Sequence, residues 1–244
     1  GMFDLFTVAG LTGDKPFMTP YEGMLWRDQG TPSVNKVYKN GGWVALVANE
    51  TQLTVALADD TIDTIQLGAD IELSAPVKVT RTVIINGDGK EIRYASTSTD
   101  LGGKNYVICV GGAAPDCTLT LNEVSINENN NNSMIAVAVT EVAHEYGTLI
   151  ANNVEFTAAG TDDAYAVQVG QGEGAVGNRK VQLTTCTANI TGGHNGDLAA
   201  NSRGYVLGLN GPLTVDSSIS SCTKSDGMFD LFTVAGLTGD KPFM

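Results

Sequence analysis

Charged residues are scarce in this chain of 244 residues, and positive ones are the scarcest. They make up 17% of the sequence, below the roughly 25% of a typical domain. The 27 acidic and 14 basic residues give a formal net charge of −13. This charge would repel nucleic acid and anionic membrane surfaces. The composition gives no reason to expect membrane insertion, and it favours neutral glycans or divalent cations as ligands.

Histidine and cysteine, the usual residues of metal and redox sites, are also rare. Two histidines and the lack of any Cys-x-x-Cys pair give little basis for a zinc or thioredoxin-like site. We therefore predict no metal and no cofactor, although calcium at a turn that holds Asp88, Asp100 or Asp162 stays open. We expect the four cysteines to be small buried core residues, with a disulfide as the alternative. They are Cys109, Cys117, Cys186 and Cys222.

Glycine, threonine, asparagine, valine and isoleucine are abundant instead, and they favour strands and tight turns. From residue 62 onward, short alternating strands recur. One motif is anchored on Leu119, Leu149, Val181 and Leu213, in steps of 30, 32 and 32 residues (119 to 149 to 181 to 213). A second motif lies in the gaps, at Tyr106, Met134, Tyr165 and Tyr205. Two interleaved motifs with one period predict a solenoid of separate parallel sheets rather than an antiparallel sandwich.

Each recurring strand is expected to present alternate residues to the core. Leu119 and Leu121 should face inward, while Thr118 and Thr120 face solvent. A polar residue follows the apolar strand at the same point of each period. We expect these residues to form a ladder of hydrogen bonds along the stack: Asn122, Asn152, Thr184 and Asp216.

Residues 19–48 form a predicted connector before the solenoid, which we place at residues 49–226. The connector should hold one hairpin turned by Asn40-Gly41. Its tryptophans, Trp26 and Trp43, either form a platform for glycans or fasten the connector to the domain. A helix should follow, capped by Asn49 or Thr51, and should cover the open end of the solenoid. Its apolar face holds Leu53, Ala56 and Leu57.

The two ends of the chain are identical. Residues 1–18 and residues 227–244 both read GMFDLFTVAGLTGDKPFM. The duplication indicates either tandem modules of this length or an assembly strand that is donated from copy to copy; a third reading, that the repeat is artificial, is also open. The residues that we expect to form the assembly strand are Phe229, Leu231, Phe232 and Val234, with their copies Phe3, Leu5, Phe6 and Val8.

The stretch from Thr51 to Ile92 resembles the start of the pectin-lyase-like, right-handed β-helix domains of bacterial surface proteins. The residues that carry the resemblance are Gln52-Leu53, Ala56–Asp59, Asp63–Leu67, Asp70–Leu73, Pro76–Val79 and Thr82–Gly87. It covers about forty residues closely and the rest of the solenoid by pattern only. It implies an all-β, right-handed parallel β-helix with an N-terminal capping helix, at the cell surface or outside the cell. It implies no activity, because this fold hosts lyases, hydrolases and adhesins alike.

Catalytic residues are hard to find in this sequence. The closest approach to a polysaccharide-cleaving set is Asp162 and Asp163 followed by His194 and Asp197. Their local sequences differ from those of the hydrolases that they resemble in order, and we interpret them as solvated turn residues at the corners of the solenoid. We therefore predict a non-enzymatic module for display, adhesion or fibre assembly that is joined end to end with further copies of itself. A polysaccharide-active enzyme and a glycan-binding module remain the alternatives.

Overall fold

In a computed structural model, most of the described residues lie in strands. The structure describes residues 19–26, 34–94, 106–112, 117–128, 135–141, 146–160, 164–171, 179–192, 204–209, 218–219, 222–224 and 230–234. Among these residues the chain forms nineteen strands and one helix. The predicted all-β class is therefore confirmed.

The described part of the chain begins with a small antiparallel group. Strands β1 (Leu25–Trp26), β2 (Asn35–Lys39) and β3 (Gly42–Val47) pair in this order. The β2–β3 turn has positive φ angles of 51° at Asn40 and 86° at Gly41, as a tight two-residue hairpin requires. The predicted hairpin is confirmed, and β3 also pairs in parallel with β4 (Thr64–Leu67).

A single helix, α1 (Glu50–Ala58), joins β3 to β4. Asn49 caps it, since its Oδ1 accepts a hydrogen bond of 3.0 Å from the backbone N–H of Gln52. Leu53, Ala56 and Leu57 are buried, as the sequence predicts. The helix packs against β3 and against β5 (Ile71–Leu73).

After α1 the strands recur in groups of three, and each group is called a repeat here. The first repeat holds β4, β5 and β6 (Val77–Val79), and the second holds the two halves of β7 (Val83–Tyr94) and β8 (Tyr106–Val110). The third holds the two halves of β9 (Thr118–Glu128) and β10 (Ile135–Glu141). The fourth holds β11 (Gly147–Asn152), β12 (Glu155–Gly160) and β13 (Ala164–Gln171), and the fifth β14 (Arg179–Thr184), β15 (Cys186–Gly192) and β16 (Gly204–Leu209). The sixth holds β17 (Ser218–Ile219), β18 (Cys222–Lys224) and β19 (Asp230–Val234).

Equivalent strands of successive repeats pair in parallel and form two sheets. The larger sheet has a first row, β3-β4-β7-β9-β11-β14-β17. Its second row contains β5, the later halves of β7 and β9, and then β12, β15 and β18. The smaller sheet runs β6-β8-β10-β13-β16-β19. The two motifs found in the sequence therefore lie in separate parallel sheets, as predicted.

The register confirms most of the sequence period and corrects two parts of it. Leu119 pairs with Leu149, and Leu149 with Val181, as predicted. In the smaller sheet Tyr106 pairs with Ile135 rather than with the predicted Met134, which lies outside the described residues. At the end of the first row Leu183 pairs with Ile219, so the predicted anchor at Leu213 does not set the register there.

The core lies between the two sheets and beneath α1. Inward residues of every described strand from β4 to β15 join one buried cluster with Leu53, Ala56 and Leu57. Leu119 and Leu121 are fully buried, whereas Thr118 and Thr120 are partly exposed, which confirms the predicted alternation. Because each inward residue stacks on its equivalent in the next repeat, the stack buries a continuous apolar interior.

A single residue with positive φ separates the two rows in three repeats. The angles are 51° at Glu123, 53° at Asn153 and 54° at Thr185. In the second repeat the bend is longer, and residues 87–89 form a bulge inside β7. A Cβ on Gly87 would collide with the carbonyl oxygen of Glu123, so this bulge requires glycine.

Candidate functional site: the ends and the exposed rows of the strand stack

The N-terminal end of the stack is closed by α1, which polar contacts hold at both ends. The carboxylate of Glu50 accepts hydrogen bonds of 2.8 Å from the N–H and the hydroxyl of Ser74, in the turn between β5 and β6. Arg81 donates to the carbonyl oxygens of Leu57 and Ala56 at 2.9 and 2.8 Å. These carbonyls lie in the last turn of the helix, where a cation is favourable. Partial burial lowers the pKa of Arg81, and the nearby carboxylates oppose that shift.

A partly buried ion pair joins the hairpin to the end of the helix. Lys36 Nζ lies 3.0 Å from Asp59 Oδ2, and the Lys36 side chain is 8% exposed. The hydroxyl and the backbone N–H of Thr61 also donate to Asp59 Oδ1. Burial raises the pKa of Asp59, but the hydrogen bonds from Thr61 and Lys36 outweigh it and leave that pKa below its usual value.

The two tryptophans of the predicted glycan platform lie together on the hairpin. The rings of Trp26 and Trp43 meet edge to face with centroids 6.4 Å apart, and Tyr38 packs on Trp43 at 5.4 Å. All three side chains are partly exposed. This packing fastens the short strand β1 to β2 and β3. Glycan binding by these rings stays a prediction.

The predicted polar ladder is present along the bend that follows the first row. Asn152 Nδ2 donates to Asn122 Oδ1 at 2.9 Å, and Asn122 Nδ2 donates to Asn86 Oδ1 at 2.9 Å. Thr184 lies in register with Asn152, while Asp216 lies outside the described residues. Asn86 is not among the ladder residues predicted from the sequence. Its position directly after the apolar strand Val83–Ile85 was the signal.

The second row carries a group of charged side chains on its exposed face. Arg93 Nη2 donates to Glu72 Oε1 at 2.8 Å, and Arg93 Nη1 donates to Glu91. Asn127 Nδ2 in turn donates to Glu91 Oε1 at 2.6 Å. These hydrogen bonds raise the pKa of Arg93 well above its usual value. The sequence did not predict this group, because Glu72 and Arg93 are brought together only by the register between β5 and β7.

Three of the cysteines are buried. Cys109, Cys117 and Cys186 have the core positions that the sequence predicts, and Cys186 Sγ donates to the carbonyl of Ala151 at 3.4 Å. Burial raises the pKa of Cys186, and backbone hydrogen bonds at Val154 and Thr184 oppose that shift. Cys222 is the register partner of Cys186 in β18.

Two charged residues, Glu128 and Arg179, are also fully buried, which the sequence did not predict. Burial lowers the pKa of Arg179.

At the C-terminal end of the stack, the duplicated segment supplies the last described strand. β19 pairs in parallel with β16, with Tyr205 opposite Asp230, Leu207 opposite Phe232 and Leu209 opposite Val234. Of the predicted assembly residues, Leu231, Phe232 and Val234 therefore lie in a strand at the edge of the smaller sheet. Phe229 and the first copy, Phe3, Leu5, Phe6 and Val8, lie outside the described residues.

The candidate catalytic residues cannot be placed by the structure. Asp162, Asp163, His194 and Asp197 all lie outside the described residues. Within the described ranges, no three His, Cys, Asp or Glu side chains form a group that could hold a metal ion. Across the same part of the chain, no helix is long and apolar enough to span a membrane.

The geometry defines an all-β protein whose parallel strands stack in two sheets, with a helix over one end. Residues 44–164 match the family model described as "Putative pectate lyase-like adhesive domain". The match runs from β3 to the start of β13, just under half of the chain, and it confirms the pectin-lyase-like resemblance predicted from the sequence. The description of this family suggests a surface adhesive module. No curated protein and no solved structure matches the chain.

Proposed function

We propose that this chain is a non-enzymatic, extracellular module for adhesion or surface display. The observation that carries the proposal is the match of residues 44–164 to a pectate lyase-like adhesive domain, over the strands that form the first repeats. The exposed rows add support, since they present carboxylates, amides and hydroxyls on a regular parallel scaffold. Such groups suit hydrogen bonding to hydroxyl-rich ligands such as neutral glycans.

We further propose that the stacked repeats form a right-handed β-helix. The support is the strand order, in which the chain returns after three strands to the same position in the same sheet. Connections between parallel strands of one sheet are right-handed in almost all known cases. An experimental electron-density map of the chain would test this, and a left-handed path between β11 and β14 would contradict it.

Adhesion without turnover is the behaviour that separates this proposal from its enzymatic alternative. Beads coated with the protein should be retained on a panel of immobilised neutral glycans, while soluble pectic polysaccharides incubated with it should release no shorter products. A release of products that is lost in an Asp163→Ala variant would instead establish the enzyme.

If the tryptophans form the ligand platform, Trp43→Ala should reduce retention. Tyr21→Ala serves as a matched control, because Tyr21 is 60% exposed and lies outside that ring cluster.

We also propose that copies of the chain associate end to end through the duplicated segment. The support is that the C-terminal copy supplies β19, a strand of the stack itself. Light scattering and negative-stain imaging should compare the full chain with versions that lack residues 1–18 or 227–244. A change between monomers and chains on removal of one copy supports the proposal. The same monomer in all three samples contradicts it and favours tandem modules or an artificial repeat.

A further inference from the structure

The amino-acid sequence of β19 occurs twice in the chain. Residues 230–234 read Asp-Leu-Phe-Thr-Val, and residues 4–8 read the same. The hydrogen bonds between β16 and β19 join backbone groups, and the side chains of the two copies are identical. The edge of β16 that accepts residues 230–234 therefore has equal intrinsic affinity for residues 4–8 of another molecule.

The register shows which residue of this segment matters most for docking. Ile108, Val137 and Val167 form one column of the smaller sheet, and all three are fully buried. The column continues through Leu207 to Phe232. Phe232 therefore occupies the register position of the core column, and Phe6 is its equivalent in the sequence of the first copy.

The adjacent column offers a matched comparison. It runs from Cys109 and Ala138 to the partly exposed Gln168, then to Gly208 and Thr233. Cys109 and Ala138 are buried, but Gln168, nearer to β19 in this column, is polar and partly exposed, so a polar residue at Thr233 or at its copy Thr7 should be tolerated there.

From these observations we infer that the edge of β16 is a binding site for residues 4–8 of a second copy, which compete for it with residues 230–234 of the same chain. The inference rests on the proposed end-to-end association and names its two contacting parts. The internal strand has the advantage of its tether, which gives it an effective concentration of about a millimolar. At micromolar protein the internal strand thus occupies the edge in most copies, and end-to-end association requires either a higher protein concentration or displacement of that strand.

Replacement of β19 is favoured over addition of a further strand beside it. A second copy laid in register on β19 would place Asp4 beside Asp230, and like charges on neighbouring strands repel. At β16 the same aspartate lies opposite Tyr205, as Asp230 does. Each chain then has one donor segment and one receptor edge. The resulting contact is heterologous, and its product is an unbranched head-to-tail chain.

The test uses the full chain with the same substitution in either copy. Phe232→Asp weakens the internal strand and leaves the donor intact, so light scattering should show growth from monomers to head-to-tail chains. Phe6→Asp should stay monomeric, and the double variant Phe6→Asp/Phe232→Asp should be monomeric with an open edge.

The double variant should bind a fluorescent peptide of residues 1–18 at least tenfold more tightly than the unmodified chain does. It should not bind the peptide that carries Phe6→Asp, whereas a Thr7→Asp peptide should still bind.

A second measurement does not depend on the folding of these variants. The peptide of residues 1–18 with a photoreactive side chain at position 5 is incubated with the unmodified chain at high concentration and irradiated. Crosslinks within residues 204–209 support the inference, and crosslinks confined to other sites overturn it. Chain growth of Phe232→Asp without peptide binding at this edge also overturns it while leaving end-to-end association intact. If neither growth nor binding occurs, the inference and the proposed association both fail.

Discussion

Asp59 shows how one carboxylate joins three parts of the molecule. It accepts hydrogen bonds from Thr61, pairs with Lys36 of the hairpin, and its backbone N–H donates to the carbonyl oxygen of Val55 in α1. These bonds favour the charged form, so the pKa of Asp59 lies below its ordinary value of 3.8. A carboxylate with a lowered pKa stabilises the folded state above that ordinary value, and the contribution is lost as the pH falls through the folded pKa.

We therefore expect Asp59→Asn to destabilise the protein at neutral pH and to have little effect in acid. At pH 7 the loss should be about 1.5–3 kcal/mol, the range for hydrogen bonds to charged groups. Below the pKa of the folded state the two proteins should become equally stable. Urea unfolding from pH 7 to pH 2 measures this, with the exposed neighbour Asp60→Asn as control. An equal deficit at both ends of the range would contradict the assignment.

The asparagine ladder makes a second prediction at the residue scale. Asn122 both donates to Asn86 and accepts from Asn152. Replacing it by alanine removes both bonds and leaves a partly buried amide on each side without its partner. We expect Asn122→Ala to lower the free energy of unfolding by about 1–3 kcal/mol. Thr118→Ala, on the exposed face of the same strand, should cost much less in the same denaturation series. Equal losses in the two variants would argue against the ladder.

At the scale of elements, the N-terminus of α1 depends on its cap. Two candidates were indicated by the sequence, and the structure assigns Asn49. Loss of an asparagine cap costs about 1 kcal/mol in typical helices. Asn49→Ala should therefore lower the midpoint of urea unfolding, and Asn49→Asp should restore it because aspartate caps equally well. Thr51→Ala should leave the midpoint nearly unchanged. A larger loss from Thr51→Ala than from Asn49→Ala would reverse the assignment.

Elements with a strong local signal were predicted correctly from the sequence. The hairpin has Asn40-Gly41, one of the few residue pairs that easily adopt positive φ at both positions, and α1 has a cap and an apolar face. The row of Leu119, Leu149 and Val181 was found because its spacing is nearly constant. In each case neighbouring residues or a regular period specify the structure.

Features that depend on contacts between repeats were missed. The bulge at residues 87–89 resembles a glycine turn in the sequence, and only the neighbouring strand shows that β7 continues through it. The contact between Arg93 and Glu72 depends on a short first repeat that breaks the period. The terminal strand was expected to serve assembly, but its position beside β16 needed the register of the smaller sheet. A one-residue change in that register exchanges the two faces of a strand.

At the scale of the whole molecule, the stability of each repeat depends on its contacts with the neighbouring repeats. Each described repeat pairs only with the repeats next to it in the sequence. The first repeat also pairs with β3. Proteins of this kind behave approximately as a linear series of units coupled at their interfaces. A defect near one end should therefore loosen that end, whereas a defect at the centre should loosen both sides.

Two matched core substitutions test this behaviour. Ile65 in β4 and Leu149 in β11 are both fully buried and both stack on residues of neighbouring repeats. Each change to alanine should cost about 2–5 kcal/mol locally. In native-state hydrogen exchange, Ile65→Ala should speed exchange in β3, β4 and α1 while β11 and β14 keep their protection. Leu149→Ala should speed exchange in β9, β11 and β14 together. If Ile65→Ala raised exchange equally in every strand, the molecule would unfold as one cooperative unit, and the neighbour-by-neighbour account of its stability would be wrong.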